Sequence, residues 1–202
     1  MDSKIKDCKT LEDLFDRWSN KKGHEFFCRD GFVNEKAFDI KERILFIAKE
    51  SNISKGTDKD FFWLQSVANG NSDSKILSRR ISIMTNAYYN NFSCVNKSLD
   101  NLQKIAYMNI NKSGGSSRTN TTKLWEYANY HKDYILKEIE IIKPELIVCC
   151  GKLVYEIISD ILGTKINDHK VIEVYHPSYF FISDKKYLER FKIALDISQP
   201  QT

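Results

Sequence analysis

Thr122-Lys-Leu-Trp-Glu-Tyr-Ala-Asn-Tyr-His-Lys-Asp-Tyr-Ile-Leu-Lys-Glu-Ile-Glu-Ile-Ile-Lys-Pro-Glu-Leu-Ile-Val-Cys-Cys-Gly151 holds two periodicities in succession. Leu124, Ala128, Ile135, Ile139 and Ile142 fall near a 3.6-residue repeat, and the repeat stops just before Pro144, so the spacing predicts a helix over 122–142. The run 146–150 that follows is apolar at every position, which suits a strand covered on both faces, and Gly151 closes it. A helix feeding a fully buried strand is the unit of an α/β sheet.

Working outward, three more apolar runs of strand length appear at 44–48, 105–110 and 171–175. Helical spacing fills the intervals: 76–89 precedes the strand at 105, and 152–162 follows the strand at 146 and stops at Gly163, a C-cap residue. Near the start, Thr10-Leu-Glu-Asp13 is a capping-box pattern for a helix reaching Trp18. Lys112-Ser113-Gly114-Gly115-Ser116-Ser117-Arg118 disfavours both helix and strand and reads as a loop. The expected architecture is one α/β domain over residues 1–202, three layers αβα around a four-stranded, mostly parallel sheet.

Composition limits the function classes. With 202 residues and 42% apolar content the chain can bury a core. A net charge of +4, from 31 basic against 27 acidic residues, excludes a histone-like polycation while allowing a local basic groove. No run approaches the roughly 20 apolar residues of a membrane span, and the charged N-terminus lacks the apolar centre of a signal peptide. A cytoplasmic protein is expected. Cys8, Cys28, Cys94, Cys149 and Cys150 contain no C-x-x-C pair, and they read as reduced thiols rather than disulfides or metal ligands.

In an open α/β sheet the ligand lies beyond the carboxyl ends of the strands. Those ends carry Lys49-Glu50-Ser51-Asn52, Asn109-Ile-Asn111-Lys112, Gly151-Lys152 and His176-Pro177-Ser178. Each alone has a plain alternative: Glu50 as a helix cap, the asparagines as turn residues, His176 as a loop histidine. A carboxylate, carboxamides and an imidazole at successive strand ends together describe a polar site.

Three ordered stretches, Ile105-Ala-Tyr-Met-Asn109-Ile-Asn-Lys112, Ile139-Glu-Ile-Ile-Lys-Pro144-Glu-Leu-Ile-Val-Cys-Cys-Gly151 and Val174-Tyr-His176-Pro-Ser178, resemble the uracil-DNA glycosylase superfamily. With 44–52 at the family's first motif, the resemblance covers about residues 42–197, leaving 1–41 as an N-terminal helical segment. It implies a glycosylase that hydrolyses the N-glycosidic bond of a flipped uracil, damaged or modified base in DNA and leaves an abasic site. Glu50 falls where one branch keeps its water-positioning Asp, His176 at the donor to the leaving base, and Asn109 at the base-reading asparagine. Ala48 of the first motif, and Phe62 or Trp63 as the stacking aromatic, complete the implied base pocket. Lys112, Ser116, Ser117, Arg118, Ser178 and Tyr179 are implied contacts to DNA, with Tyr179-Phe180-Phe181 at the family's wedge.

The departures are equally plain. Ala48-Lys49-Glu50-Ser51-Asn52 lacks the family's Gly and Pro, and His131 stands where an iron-sulfur branch places a cysteine. No cofactor and no metal cluster are expected. The chemistry itself is simple: a carboxylate steadies the cationic sugar and orients water, and a donor steadies the base anion. Core packing remains open for Phe61, Phe62, Trp63, Phe180 and Phe181. Two other functions also remain open, a nucleic-acid binding or sensing module without catalysis and a hydrolase of free nucleosides or nucleotides.

Overall fold

The computed structural model describes residues 3–21, 27–38, 42–51, 62–71, 75–93, 98–113 and 119–197. In chain order the elements are α1 (Ser3–Lys6), α2 (Leu11–Ser19), β1 (Gly31–Phe32), β2 (Ile44–Glu50), α3 (Trp63–Ala68), α4 (Ile76–Tyr89), β3 (Ala106–Asn111), α5 (Thr121–Tyr130), α6 (Lys132–Ile142), β4 (Leu146–Cys150), α7 (Lys152–Leu162), β5 (Lys170–Val174) and α8 (Asp184–Ile197). Short 3-10 turns lie at Leu99–Lys104 and Gly163–Asp168.

The sheet has five strands in the order β1-β3-β2-β4-β5. The four expected strands run parallel, and the fifth, β1, pairs antiparallel with β3 at the edge. Alternation along the strands separates two apolar layers. Leu45, Ile47, Met108, Ile147 and Cys149 face one way, against Trp18 of α2 and residues of α5, α6 and α7. Phe46, Ala48, Tyr107, Val148 and Val174 face the other, against α3, α4 and α8. Side chains on both faces are withdrawn from water, which is why the strand at Leu146–Cys150 has no polar position.

Local chemistry fixes the element ends. Thr10 accepts the Asp13 backbone N–H at 3.1 Å, starting α2 as its sequence suggests. Gly151 adopts φ 117°, a conformation that side chains resist, and so turns β4 directly into α7. The single helix expected over 122–142 is two helices: α5 ends at Tyr130 and α6 begins at Lys132, with His131 between them. His131 is buried, and its Nδ1 accepts the Trp18 indole N–H at 3.0 Å. That bond and the surrounding rings of Tyr127, Tyr130 and Tyr134 hold the residue where a continuous helix would have run on.

Candidate active site

β2 sends its connection through α3 and α4 over one face, while β3 and β4 send theirs through α5, α6 and α7 over the other. The carboxyl end of β2 is therefore at the reversal point of an open sheet, where ligands of such folds bind. Glu50 sits there. The register pairs Ala48 with Asn109 and Glu50 with Asn111, two residues further on, so these four residues share one face of the sheet. Asn111 donates from Nδ2 to Glu50 Oε2 at 3.3 Å and accepts the Ser113 N–H at 2.9 Å, which aims the Glu50 carboxylate.

Asn109 is buried. Its backbone N–H donates to Asp30 Oδ2 at 2.7 Å, and its Nδ2 donates to the same oxygen at 3.3 Å and to Ser51 Oγ at 3.0 Å. The carboxamide oxygen is buried without a hydrogen-bond partner among the described residues. An unmet buried acceptor costs about 1–3 kcal/mol, so a donor arriving from a ligand is strongly favoured there.

His176 lies two residues past β5, half-buried. Burial, and then the nearby Lys49 charge, pull its imidazole down from 6.5 to about 4, so it is neutral at pH 7. The Ser178 N–H donates to Nδ1 at 3.3 Å and Ser178 Oγ lies 2.6 Å from the same nitrogen. Since Nδ1 accepts, the single proton of the neutral ring resides on Nε2, which is then a donor. The Lys49 influence comes from the end of β2, one strand beyond β4 from the strand that leads to His176.

The loop after His176 is clamped from beneath. Arg80 of α4, 3% exposed, donates to the carbonyls of Pro177 (3.1 Å), Tyr179 and Ile182 (2.6 Å) and to Asp184 Oδ1 (3.0 Å). Its guanidinium also lies over the Tyr187 ring, 4.7 Å from the centroid. Thus held, the loop presents Tyr179, Phe180 and Phe181 to solvent, at 42%, 68% and 72% exposure. Core packing for Phe180 and Phe181 is thereby excluded; the two rings stack on each other at 4.2 Å.

One expected DNA contact is corrected. Lys112 was placed at phosphate, yet it is fully buried: its ammonium pairs with Asp30 and with Glu138 at 2.9 Å and lies 5.3 and 5.4 Å from the Phe15 and Trp18 ring centroids. Burial pulls the Lys112 amine down, but the two carboxyl partners outweigh it and raise it overall. Burial and the neighbouring Asp30 charge push the Glu138 carboxyl well above its usual range, against the opposing pull of Lys112. One cation thus serves two carboxyl groups inside the fold.

Phe62 and Trp63 both lie half-buried against Tyr107, at 6.3 and 6.1 Å between ring centroids. Tyr107 is two residues before Asn109 on the same strand face, about 7 Å away along a strand. Ala48 is buried, with its methyl in the apolar layer behind the end of β2. Phe61, Ser116, Ser117, Arg118, Asn52 and Cys94 lie outside the described residues. Asp30, Ser51 and Glu138 were missed by the sequence reading. Glu138 had a visible signal, since it interrupts the apolar stripe of Ile135, Ile139 and Ile142.

A family model described as the uracil DNA glycosylase superfamily matches residues 86–196, more than half of the chain. The chain belongs to that superfamily. The match includes Asn109 and His176 and begins after Glu50. No curated protein matches the chain. Among the described residues, no helix is long and apolar enough to cross a membrane, and no cluster of histidine, cysteine or acidic residues could hold a metal ion.

Proposed function

We propose that this chain is a monofunctional DNA glycosylase, a single domain that hydrolyses the bond between deoxyribose and a flipped base and leaves an abasic site. The observation that carries the reading is that three chemically distinct groups stand at the carboxyl ends of strands in one sheet: the Glu50 carboxylate, the Asn109 carboxamide and a neutral His176 with its proton on Nε2. Bond cleavage leaves positive charge on the sugar and negative charge on the base. Glu50 stabilises the first and orients the attacking water; His176 Nε2–H stabilises the second.

A base inside a duplex is out of reach, so the nucleotide must leave the stack. Phe62 or Trp63 supplies an aromatic face for it, and the exposed Phe180 and Phe181 fill the gap that it leaves. Ser178 and Tyr179, with Ser116, Ser117 and Arg118, contact the DNA backbone. The target is a uracil, damaged or modified pyrimidine, and the setting is the cytoplasm, in keeping with the free thiols of Cys8, Cys28, Cys149 and Cys150 among the described residues.

The test is single-turnover base release from oligonucleotides carrying uracil, deaminated, oxidised or hypermodified bases. Glu50→Gln and His176→Ala should each lower the rate by roughly 100-fold or more while leaving DNA binding intact. Release from no DNA in the panel sinks the proposal. Binding without release would instead favour a sensing module, for which the first motif lacking Gly and Pro speaks, and turnover of free nucleosides would favour a small-molecule hydrolase.

A further inference from the structure

The Asn109 carboxamide is fixed in one direction. Asp30 Oδ2 accepts the Asn109 backbone N–H, so it is an acceptor, and the side-chain atom facing it must be the donor Nδ2. The second Nδ2 hydrogen goes to Ser51 Oγ, whose hydroxyl bonds onward to the Cys28 thiol. Turning the amide over would set its oxygen against the Asp30 carboxylate. Asp30 itself cannot swing away, because its other oxygen holds the buried Lys112 ammonium, which Glu138 holds from the far side. Oδ1, buried and without a partner among the described residues, is the atom left for a ligand.

We infer that Asn109 reads its base through its oxygen alone: with both amide hydrogens taken by Asp30 and Ser51, the site accepts a hydrogen bond from a base N–H and gives none to the carbonyl beside it. A free carboxamide could make both contacts with the edge of an imide base. The substrate class that follows is a pyrimidine with an unblocked ring N–H, whose neighbouring oxygen can be exchanged without penalty from Asn109. Asp30 is a positioning residue in this scheme, acting through Asn109 and touching no substrate. The inference rests on the glycosylase reading and deepens it.

The experiment is equilibrium binding, by fluorescence anisotropy, of the full chain to duplexes whose target nucleotide bears a 2′-fluoroarabino sugar that resists hydrolysis. The bases are uracil, N3-methyluracil, which lacks the ring N–H, 4-thiouracil, which lacks the carbonyl oxygen, and thymine opposite adenine as an undamaged control. The wild-type chain should bind N3-methyluracil at least about tenfold more weakly than uracil, and 4-thiouracil within about threefold of it. Asp30→Ala removes the acceptor that fixes the amide and lets it turn over, so the preference for uracil over N3-methyluracil should fall to within about threefold. A purely structural role for Asp30 would weaken all duplexes alike and leave that ratio unchanged.

If Asp30→Ala does not fold with the buried ammonium left to Glu138 alone, the double variant Asp30→Ala with Lys112→Met removes that ammonium as well and carries the same comparison. If neither folds, the two wild-type ratios decide alone. Equal wild-type affinity for uracil and N3-methyluracil, a tenfold penalty for 4-thiouracil, or an unchanged ratio in a folded variant overturns the inference while leaving base release by the wild type as evidence for glycosylase activity. Identical affinity for all four duplexes together with no base release overturns both.

Discussion

Arg80 offers the sharpest test of how the fold supports the site. Its guanidinium reaches three carbonyls between Pro177 and Ile182 and the Asp184 carboxylate, all from a side chain 3% exposed. Arg80→Met keeps most of the stem and removes every donor. Hydrogen bonds to a charged group are worth about 1.5–3 kcal/mol each and are not additive. Removing one partner of a buried charged network costs about 3–5 kcal/mol, and we expect a loss in that range. Arg80→Lys retains the charge but not the planar fork, cannot span carbonyls on separate turns of the loop, and should recover less than half of the loss.

Urea unfolding monitored by tryptophan fluorescence gives the stability change. Hydrogen exchange at residues 178–183 shows whether the loop loosens before the rest. The pH dependence adds a sign. Burial alone would raise the Asp184 carboxyl, but its hydrogen bonds and ion pairs with Arg80 and Arg79 lower it below 3.8. Its stabilising contribution is therefore complete above that value and disappears as pH falls through the lower folded value. A stability loss under about 1 kcal/mol for Arg80→Met, with unchanged exchange in the loop, would show that the clamp does not hold it.

Three further outcomes follow from the same structure. His176 should titrate near pH 4 in NMR spectra, and since the fold disfavours its cation, stability should decline as pH drops from 6.5 toward that value; a midpoint close to 6.5 contradicts the assigned environment. Lys112→Ala strands Asp30 and Glu138 in the interior and should cost about 3–5 kcal/mol in urea unfolding, so a loss near zero refutes the buried pairing. Cys149 and Cys150, fully buried in β4 with their thiols pushed up by burial, should stay unmodified by a thiol reagent in the native state when mapped by mass spectrometry, and rapid labelling would contradict that packing.

The elements with strong periodicity were legible in the sequence. The helices at Ile76–Tyr89 and Lys152–Leu162 and the strand at Leu146–Cys150 have the bounds that their apolar spacing and flanking Pro144, Gly151 and Gly163 indicate. Long-range contacts were less legible. The break at His131 depends on a bond from Trp18, 113 residues away, which no local pattern encodes. β1 is two residues long, too short to show alternation, and is recruited by pairing with β3. Glu50, Asn109 and His176 could be placed at or just past strand ends because the apolar runs mark where each strand stops. Asp30 was not, since it stands before a strand that could not be foreseen. Lys112 looked like a surface cation because lysine is almost never fully enclosed, and only its two acidic partners make that burial possible.

The enclosed Lys112 also separates two properties that ionic strength ordinarily moves together. Mobile ions screen charges that they can approach, and the Asp30–Lys112–Glu138 cluster is sealed from them. Phosphate recognition by exposed groups weakens steeply as salt rises, because bound counterions are released on association. Concentrated salt should therefore lift this protein off DNA without unfastening the interior that shapes its pocket, so that a salt-eluted sample regains its grip as soon as it is diluted.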